Sequence, residues 1–263
     1  ALHLPGAMDF RVGSPLPEGN SLAEQLNPLL KREVKKLEFS VEFPDNSIHF
    51  YHAKAYPIHT ATRQHSGTAI LIYDVTETVG LVKKLNRQAN TDELTGIFNR
   101  RYLIQLGIQE LQRARRDGTP LGIIMMDLDF FKHINDSYGH LAGDEVLHST
   151  AKCFHSGLRD GDILGRYGGE EFVALLPGAD LPAVIQIAER LRQQIENLTI
   201  PFGEQKITVT ASFGVHSFCG NQDTSLDELL SMADQALYQA KKSGRNRVVS
   251  LTQTECDDEP ETF

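Results

Sequence analysis

The spacing of apolar and polar positions changes several times along the 263 residues, and each change marks an expected element. Residues 1–20 are rich in Gly and Pro and follow no period, which predicts an irregular segment. Over residues 21–36, Leu22, Leu26, Leu29 and Leu30 share one side of a helix. The period then falls to two. Phe39, Val41 and Phe43 alternate with polar neighbours, Pro44-Asp45-Asn46 supplies a turn, and Ile48, Phe50 and Tyr51 open a second strand. A third strand over 68–73 ends at Asp74-Val75-Thr76, where a helix over 77–90 begins with Val79, Val82, Leu85 and Ala89 along one stripe. Farther on, an apolar strand at 121–128 precedes a helix at 142–157, and strands at 163–167 and 172–176 flank Gly168-Gly169 as a hairpin. A helix at 183–198, an alternating strand at 207–215, a helix at 225–242 and a strand at 247–251 follow. That order is βαββαβ with additions. It predicts an α+β fold of the ferredoxin-like kind, with a layer of helices against a mostly antiparallel sheet.

These changes divide the chain into an irregular start (1–20), a small strand-rich module (21–76), a linker helix (77–90), a full-sized domain (91–252) and an acidic tail (253–263). With 40% hydrophobic and 23% charged residues the balance is that of a globular chain, not a disordered one. No apolar run approaches the roughly 20 residues of a membrane-spanning helix. The expectation is therefore a cytoplasmic chain without a membrane segment, whose start at Ala-Leu-His leaves room for a longer, membrane-attached parent. A formal net charge of −9 argues against a nucleic-acid partner, which needs a basic face. It leaves a nucleotide substrate open, because a metal ion and a few placed cations neutralise phosphates locally. Cys153, Cys219 and Cys256 lack CxxC spacing, which predicts reduced thiols and neither a disulfide framework nor a zinc site.

Chemistry enters with the acids. Asp127 and Asp129 stand at the end of the apolar strand, and Glu170 and Glu171 directly after the Gly-Gly bend. A carboxylate beside Ile-Ile-Met-Met is costly to bury unless something positive meets it. A hard cation does so: with the hairpin beside the strand end, two carboxylates and a backbone carbonyl converge on Mg²⁺ and leave positions for phosphate oxygens. Gly168 and Gly169 let the backbone turn tightly and approach a phosphate or ribose. Taken alone, Gly-Gly-Glu-Glu reads first as a β-turn with a solvated charge pair.

Further stretches reverse that balance. Asp92-Glu93-Leu94-Thr95-Gly96 with Asn99-Arg100, Asp127-Leu128-Asp129 with Phe131-Lys132 and Asn135-Asp136, Arg166-Tyr167-Gly168-Gly169-Glu170-Glu171-Phe172, and Lys241 with Gly244-Arg245-Asn246 follow one another in this order. As a set they resemble the motifs of GGDEF-domain diguanylate cyclases, here with a GGEEF signature, over about residues 90–252. The resemblance implies a nucleotidyl-cyclase-like palm that condenses two GTP into cyclic di-GMP. It implies that Asp127, the Leu128 carbonyl and Glu170 hold Mg²⁺, or Mn²⁺ in its place, with Glu171 nearby as an additional ligand. Glu170 is then the first choice to accept the proton of a ribose 3′-hydroxyl, with Glu171 beside it. Asn135 and Asp144 match guanine-binding positions. An Asp accepts from the ring N–H and amine of guanine, and adenine offers neither, which favours GTP over ATP. Lys241 and Arg245 match the positions that meet the terminal phosphates. Phe131 and Lys132 would serve as pocket wall and support, and Asp92 would pair with Arg166. Because one domain binds one GTP and the product joins two guanosines head to tail, the resemblance also implies a homodimer with facing active sites.

Shortly before the signature, Arg159-Asp160-Gly161-Asp162 matches the family's RxxD inhibitory site, with Arg190 and, farther off, Arg113 as additional arginines. This implies feedback inhibition by cyclic di-GMP; on its own, RxxD is a surface ion pair. At the other end of the chain, strands that run through Asp74 and Thr76 into a helix resemble the C-terminal half of a PAS sensor domain, over about residues 21–76. A small β-rich dimerisation module is the plain alternative, and 77–90 reads as a connecting helix or a short coiled coil. Two other functional classes compete: a catalytically silent receptor for GTP or cyclic di-GMP, and a cyclase that makes a monomeric cyclic nucleotide. The presence of Asp127, Glu170 and Glu171 within the full motif set favours the diguanylate cyclase.

Overall fold

The computed structural model describes residues 26, 28–29, 34–43, 45–62, 65–219 and 223–251. The irregular start, the acidic tail and most of the helix expected at 21–36 lie outside the described residues. Leu26, Pro28 and Leu29 are helical, and Lys36 already belongs to a strand. The chain forms two compact units, residues 1–87 and 88–263.

In the first unit, β1 (Lys36–Glu42), β2 (Ile48–His59) and β3 (His65–Asp74) make an antiparallel sheet in that order. Side chains alternate across it, so Tyr51 and Ala53 are buried with Leu26 and Leu29, while Tyr56, Ile58, Leu71 and Tyr73 stay exposed. At its exit, Asp74 Oδ1 accepts from the Thr76 amide at 2.9 Å and Thr76 Oγ1 accepts from the Phe50 amide at 2.9 Å. These two bonds fix where the sheet stops and α1 (Thr76–Asn90) starts. No described helix is long and apolar enough to cross a membrane.

The second unit runs β4 (Phe98–Asn99), α2 (Arg100–Asp117), β5 (Pro120–Leu128), α3 (Phe131–Tyr138), α4 (His140–Ser156), β6 (Ile163–Arg166), β7 (Glu171–Pro177), α5 (Leu181–Glu196), β8 (Thr199–Phe202), β9 (Gln205–Thr208), β10 (Ala211–Cys219), α6 (Leu226–Lys242) and β11 (Val248–Ser250). Six strands form a mixed sheet in the order β11-β10-β5-β7-β6-β4, with β10–β11 and β4–β6 parallel. The expected single layer of helices is corrected. On β5, Ile124, Met126 and Leu128 pack with Val146 and Phe154 of α4 and Val184 and Leu191 of α5. Leu121, Ile123 and Met125 pack with Leu103 and Leu111 of α2 and Leu229 and Leu237 of α6. A strand that is apolar at every position has two faces to bury, so helices cover both.

Local chemistry sets these helices in place. Asn99 and Asp180 cap α2 and α5 by accepting from the amides of Tyr102 and Ala183, and Ser225 with Glu228 forms a reciprocal capping box on α6. At Gly214 of β10, a Cβ would lie 2.1 Å from the Ala233 carbonyl oxygen and 2.2 Å from the Leu237 amide nitrogen, so glycine lets the backbone of α6 rest on the sheet. The strand expected at 207–215 is two: β9 pairs with β8 in a separate two-stranded sheet, and β10 enters the main sheet after a break at Val209–Thr210. Cys153 has a free thiol, as expected.

Candidate active site

Antiparallel pairing of β5 with β7 sets Asp127 directly opposite Glu171, so both side chains leave the same face. The hairpin before β7 is tight: the Tyr167 and Gly168 amides both donate to the Glu171 carbonyl oxygen, and the Leu128 amide donates to that of Glu170 at 3.3 Å. That last bond ties the acidic hairpin to the end of β5. Gly168 matters here, because a Cβ on it would lie 2.2 Å from Glu171 Oε2. Lys241, in the last turn of α6, reaches across to Asp127 with Nζ 2.7 Å from Oδ2.

The electrostatics follow from this crowding. Burial pushes the Asp127 carboxyl above its usual range; the Lys241 ammonium opposes the shift, and the charges of Glu171 and Asp129 add to it. Glu170 is also raised, first by burial and then by Asp127, again with Lys241 opposing. Among the described residues, no three carboxylate, imidazole or thiol groups are drawn together tightly enough to form a metal cage by themselves. The carboxylate oxygens of Asp127 and Glu170 are nevertheless hard donors of the kind Mg²⁺ takes, and their mutual repulsion is what a divalent ion relieves.

Asp129 proves to be a different kind of acid from Asp127. It is 4% exposed and its carboxylate accepts from Thr210 Oγ1 at 2.8 Å, Ser212 Oγ at 2.7 Å and the Asn246 amide at 3.0 Å. Its oxygens are taken by the protein, which fits its absence from the expected metal ligands Asp127, Leu128, Glu170 and Glu171. Through Asn246 it anchors the loop after α6, where Arg245 and Asn246 both have positive φ, at 63° and 44°. Arg192 of α5 donates to Asn246 Oδ1 at 2.8 Å, and Asn246 Nδ2 donates to Glu196 at 2.7 Å. Arg245 then lies over the exposed ring of Phe130, 4.5 Å from its centroid. Neither Asn246 nor Arg192 was singled out from sequence for this role, and Asn246 within the Gly-Arg-Asn run was the only signal available.

The remaining expected residues fall in three places. Asn135 and Phe131 lie on α3, and Asp144 is exposed in the first turns of α4, across the elbow at Gly139, where φ is 86°. Lys132 is exposed on α3, and no described contact gives it a role. Asp92 pairs with Arg166 as expected, at 3.1 Å, while also accepting from the Thr95 amide and hydroxyl at 2.9 and 2.7 Å. Arg166 in turn donates to the Gly169 carbonyl at 2.7 Å, and Arg100 stacks on Tyr167 at 4.4 Å. The third place is the turn after α4. Asp162, with a side chain 2% exposed, accepts from the Arg159 amide at 3.1 Å and Nε at 3.0 Å, and Arg159 Nη2 donates to the Pro177 carbonyl. Arg190 donates to Gly157 at 2.7 Å. Arg113, paired with Glu110 and Asp117, lines a cavity of about 240 Å³ beside Pro177 and Gly178.

Fold and site together define an α+β domain with a carboxylate cluster at the end of its central strands, buried at Asp127 and half-buried at Glu170 and Glu171, faced by a helix-borne cation. Residues 89–247 match the family described as "Diguanylate cyclase, GGDEF domain", and the chain belongs to that family. It is 44% identical over 163 residues to the response regulator PleD of Caulobacter vibrioides, covering 61% of this chain and 36% of PleD. Among solved structures it resembles the active GGEEF domain of a diguanylate cyclase from Vibrio cholerae, with TM-score 0.55 and 39% identity, covering 59% of this chain and 98% of that one. It also resembles the coiled coil and GGDEF domain of DgcB from Caulobacter crescentus in complex with c-di-GMP, with TM-score 0.63 and 27% identity, covering 67% of this chain and 93% of that one. The chain spans 36% of PleD, 24% of diguanylate cyclase DgcP of Pseudomonas aeruginosa and 45% of diguanylate cyclase A of Treponema denticola, less than half of each. The family match begins at residue 89, so it assigns nothing to the three-stranded unit and gives the PAS resemblance no support.

Proposed function

We propose that the chain condenses two GTP into cyclic di-GMP with release of pyrophosphate, across a homodimer in which each active site faces the other. The observation that carries this reading is the Asp127–Lys241 contact of 2.7 Å beside the half-buried Glu170 and Glu171, an acidic cluster already balanced by one cation. Mg²⁺, or Mn²⁺, would be held by Asp127, the Leu128 carbonyl and Glu170, with Glu171 nearby; when bound it supplies charge neutralisation to the triphosphate and to the hydroxyl being ionised. Lys241 balances Asp127 in the absence of substrate. With GTP present, Lys241 and Arg245 meet the terminal phosphates and stabilise the charge that develops on pyrophosphate. Glu170, beside the ribose of the bound nucleotide, accepts the 3′-hydroxyl proton. Asn135 and Asp144 orient the guanine, Phe131 backs the pocket with Lys132 at its edge, and Gly168 and Gly169 give the phosphates and ribose close access to backbone. GTP as substrate makes the cytoplasm the place of reaction.

The closed turn of Arg159 and Asp162, with Arg190 and Arg113 around it, supports a second role for the product as feedback inhibitor. Cyclic di-GMP would draw Arg159 off Asp162 and Pro177, trading those bonds for guanine and phosphate.

The test is incubation with GTP and Mg²⁺ and chromatographic identification of the product. Cyclic di-GMP and pyrophosphate are expected, and Glu170→Ala should lose activity by about a hundredfold or more while unfolding as the wild type does. A chain that binds GTP but yields no cyclic di-GMP, even at concentrations that drive dimerisation, is a receptor and the proposal fails.

A further inference from the structure

A glycine inside α4 shapes the guanine end of the site, an inference that rests on the reading of Asn135 as a guanine-binding residue. Gly143 is buried and lies in the helix interior, where glycine costs about 1 kcal/mol relative to alanine, so its presence asks for a reason. Its φ is not in the left-handed region, so backbone conformation is not that reason. Space is. A Cβ at Gly143 would lie 2.0 Å from Asn135 Oδ1, 3.0 Å from Asn135 Cγ and 3.2 Å from Phe131 Cζ. The Asn135 carboxamide therefore rests in the hollow that the missing side chain leaves. Half-buried there, it makes no hydrogen bond to another described residue, so its donors and acceptor remain for a ligand. The residue after Gly143 in α4 is Asp144, the other candidate for guanine recognition.

We infer that Gly143 is a positioning residue for the guanine site: it holds no ligand itself, but it sets the position of the Asn135 carboxamide and of the Phe131 ring edge beside Asp144. The consequences of a methyl group there are unequal. Asn135 Oδ1 is the free end of a rotatable side chain, so the clash is relieved by swinging the carboxamide away, at small cost to the fold. The same swing removes a hydrogen-bonding partner from guanine. Phe131, only 7% exposed, has no such freedom and shifts by a few tenths of an ångström at most. Gly143→Ala should accordingly separate stability from recognition, since alanine favours the helix while emptying half of the guanine clamp.

The experiment compares the full chain with Gly143→Ala, Asn135→Ala and the double variant. Affinity for GTP carrying a methylene group between its α- and β-phosphates is measured by calorimetry, Tm is measured without nucleotide, and turnover is measured with GTP. Gly143→Ala should bind the analogue about tenfold more weakly, the loss of one good hydrogen bond, with Tm unchanged or higher and turnover at saturating GTP reduced less than affinity. In the Asn135→Ala background, Gly143→Ala should cost nothing further, because both changes remove the same interaction. Wild-type affinity in Gly143→Ala overturns the inference, as does a full additional loss in the double variant, which would place the effect in Phe131 or the backbone. If Gly143→Ala lowers Tm sharply, recovery of Tm in the double variant assigns the clash to Asn135, and no recovery refutes it. Wild-type protein that binds the analogue but forms no cyclic di-GMP overturns the proposed reaction and leaves this inference standing.

Discussion

Asp127 and Asp129 leave the same strand end, both buried, and their surroundings give them opposite work. Asp129 has its oxygens filled by two hydroxyls and the Asn246 amide. Asp127 is paired with Lys241 and faces the like charges of Glu171 and Asp129. Replacing Asp129 with alanine leaves a buried Ser212 hydroxyl, Thr210 and a backbone amide without their acceptor, and should destabilise the chain by about 3 kcal/mol in denaturant unfolding. It should also loosen the loop that carries Arg245, so that KM for GTP rises. Asp127→Asn removes a carboxylate that burial and repulsion already disfavour, and should leave metal-free stability within about 1 kcal/mol while turnover disappears. Equal stability losses in the two variants would contradict this division.

At the level of elements, the acidic hairpin is held from outside by Asp92. Burial works against ionising that carboxyl, but the Thr95 hydroxyl and amide and the Arg166 guanidinium outweigh it, and its pKa lies below the usual value. A depressed pKa contributes stability above the unfolded value of about 3.9, and that contribution is lost as pH falls through the folded value. The stability gap between wild type and Asp92→Asn should therefore be constant from about pH 5 upward and close progressively below about pH 4. A gap that persists in acid would mean that the amide variant is defective for reasons other than charge.

Much of this was legible in the order of residues, and what was not has physical causes. β5 and β7 announce themselves because a strand buried on both faces is an unbroken apolar run. The Asp92–Arg166 pair and the hairpin of acids follow from motifs that keep their spacing. α2 was not among the expected elements: its buried positions, Leu103, Gly107, Leu111 and Ala114, alternate large with small, and arginines fill much of the rest. α3 is too short for a period to show. The joined strand at 207–215 hid a break, because Val209 and Thr210 look like strand residues. The Thr210 carbonyl accepts from the Asp129 amide at 2.8 Å there, a long-range bond that no local pattern encodes. Gly143 was overlooked because the atom that explains it belongs to another helix.

On the scale of the whole molecule, the two main core clusters of the second unit lie entirely within residues 88–263, and the small cluster of Leu26, Leu29, Tyr51 and Ala53 lies entirely in the first unit. Folding of the catalytic unit should thus be independent of the sheet that precedes it, whereas the proposed reaction is not a property of one catalytic unit. In the proposed dimer each copy carries a formal charge of −9, so the two would meet against repulsion and need some surface to hold them. The first unit and α1 offer such surface: Tyr56, Ile58, Leu71 and Tyr73 are exposed on the sheet, and Leu81, Val82 and Leu85 on the helix. Residues 88–263 alone should unfold at nearly the same temperature as the second unit does in the full chain, yet show lower specific activity at low protein concentration and recover it as concentration rises. Specific activity that stays equal to that of the full chain from nanomolar to micromolar protein would show that the catalytic units find each other unaided, and would remove the first unit from any part in assembling the dimer.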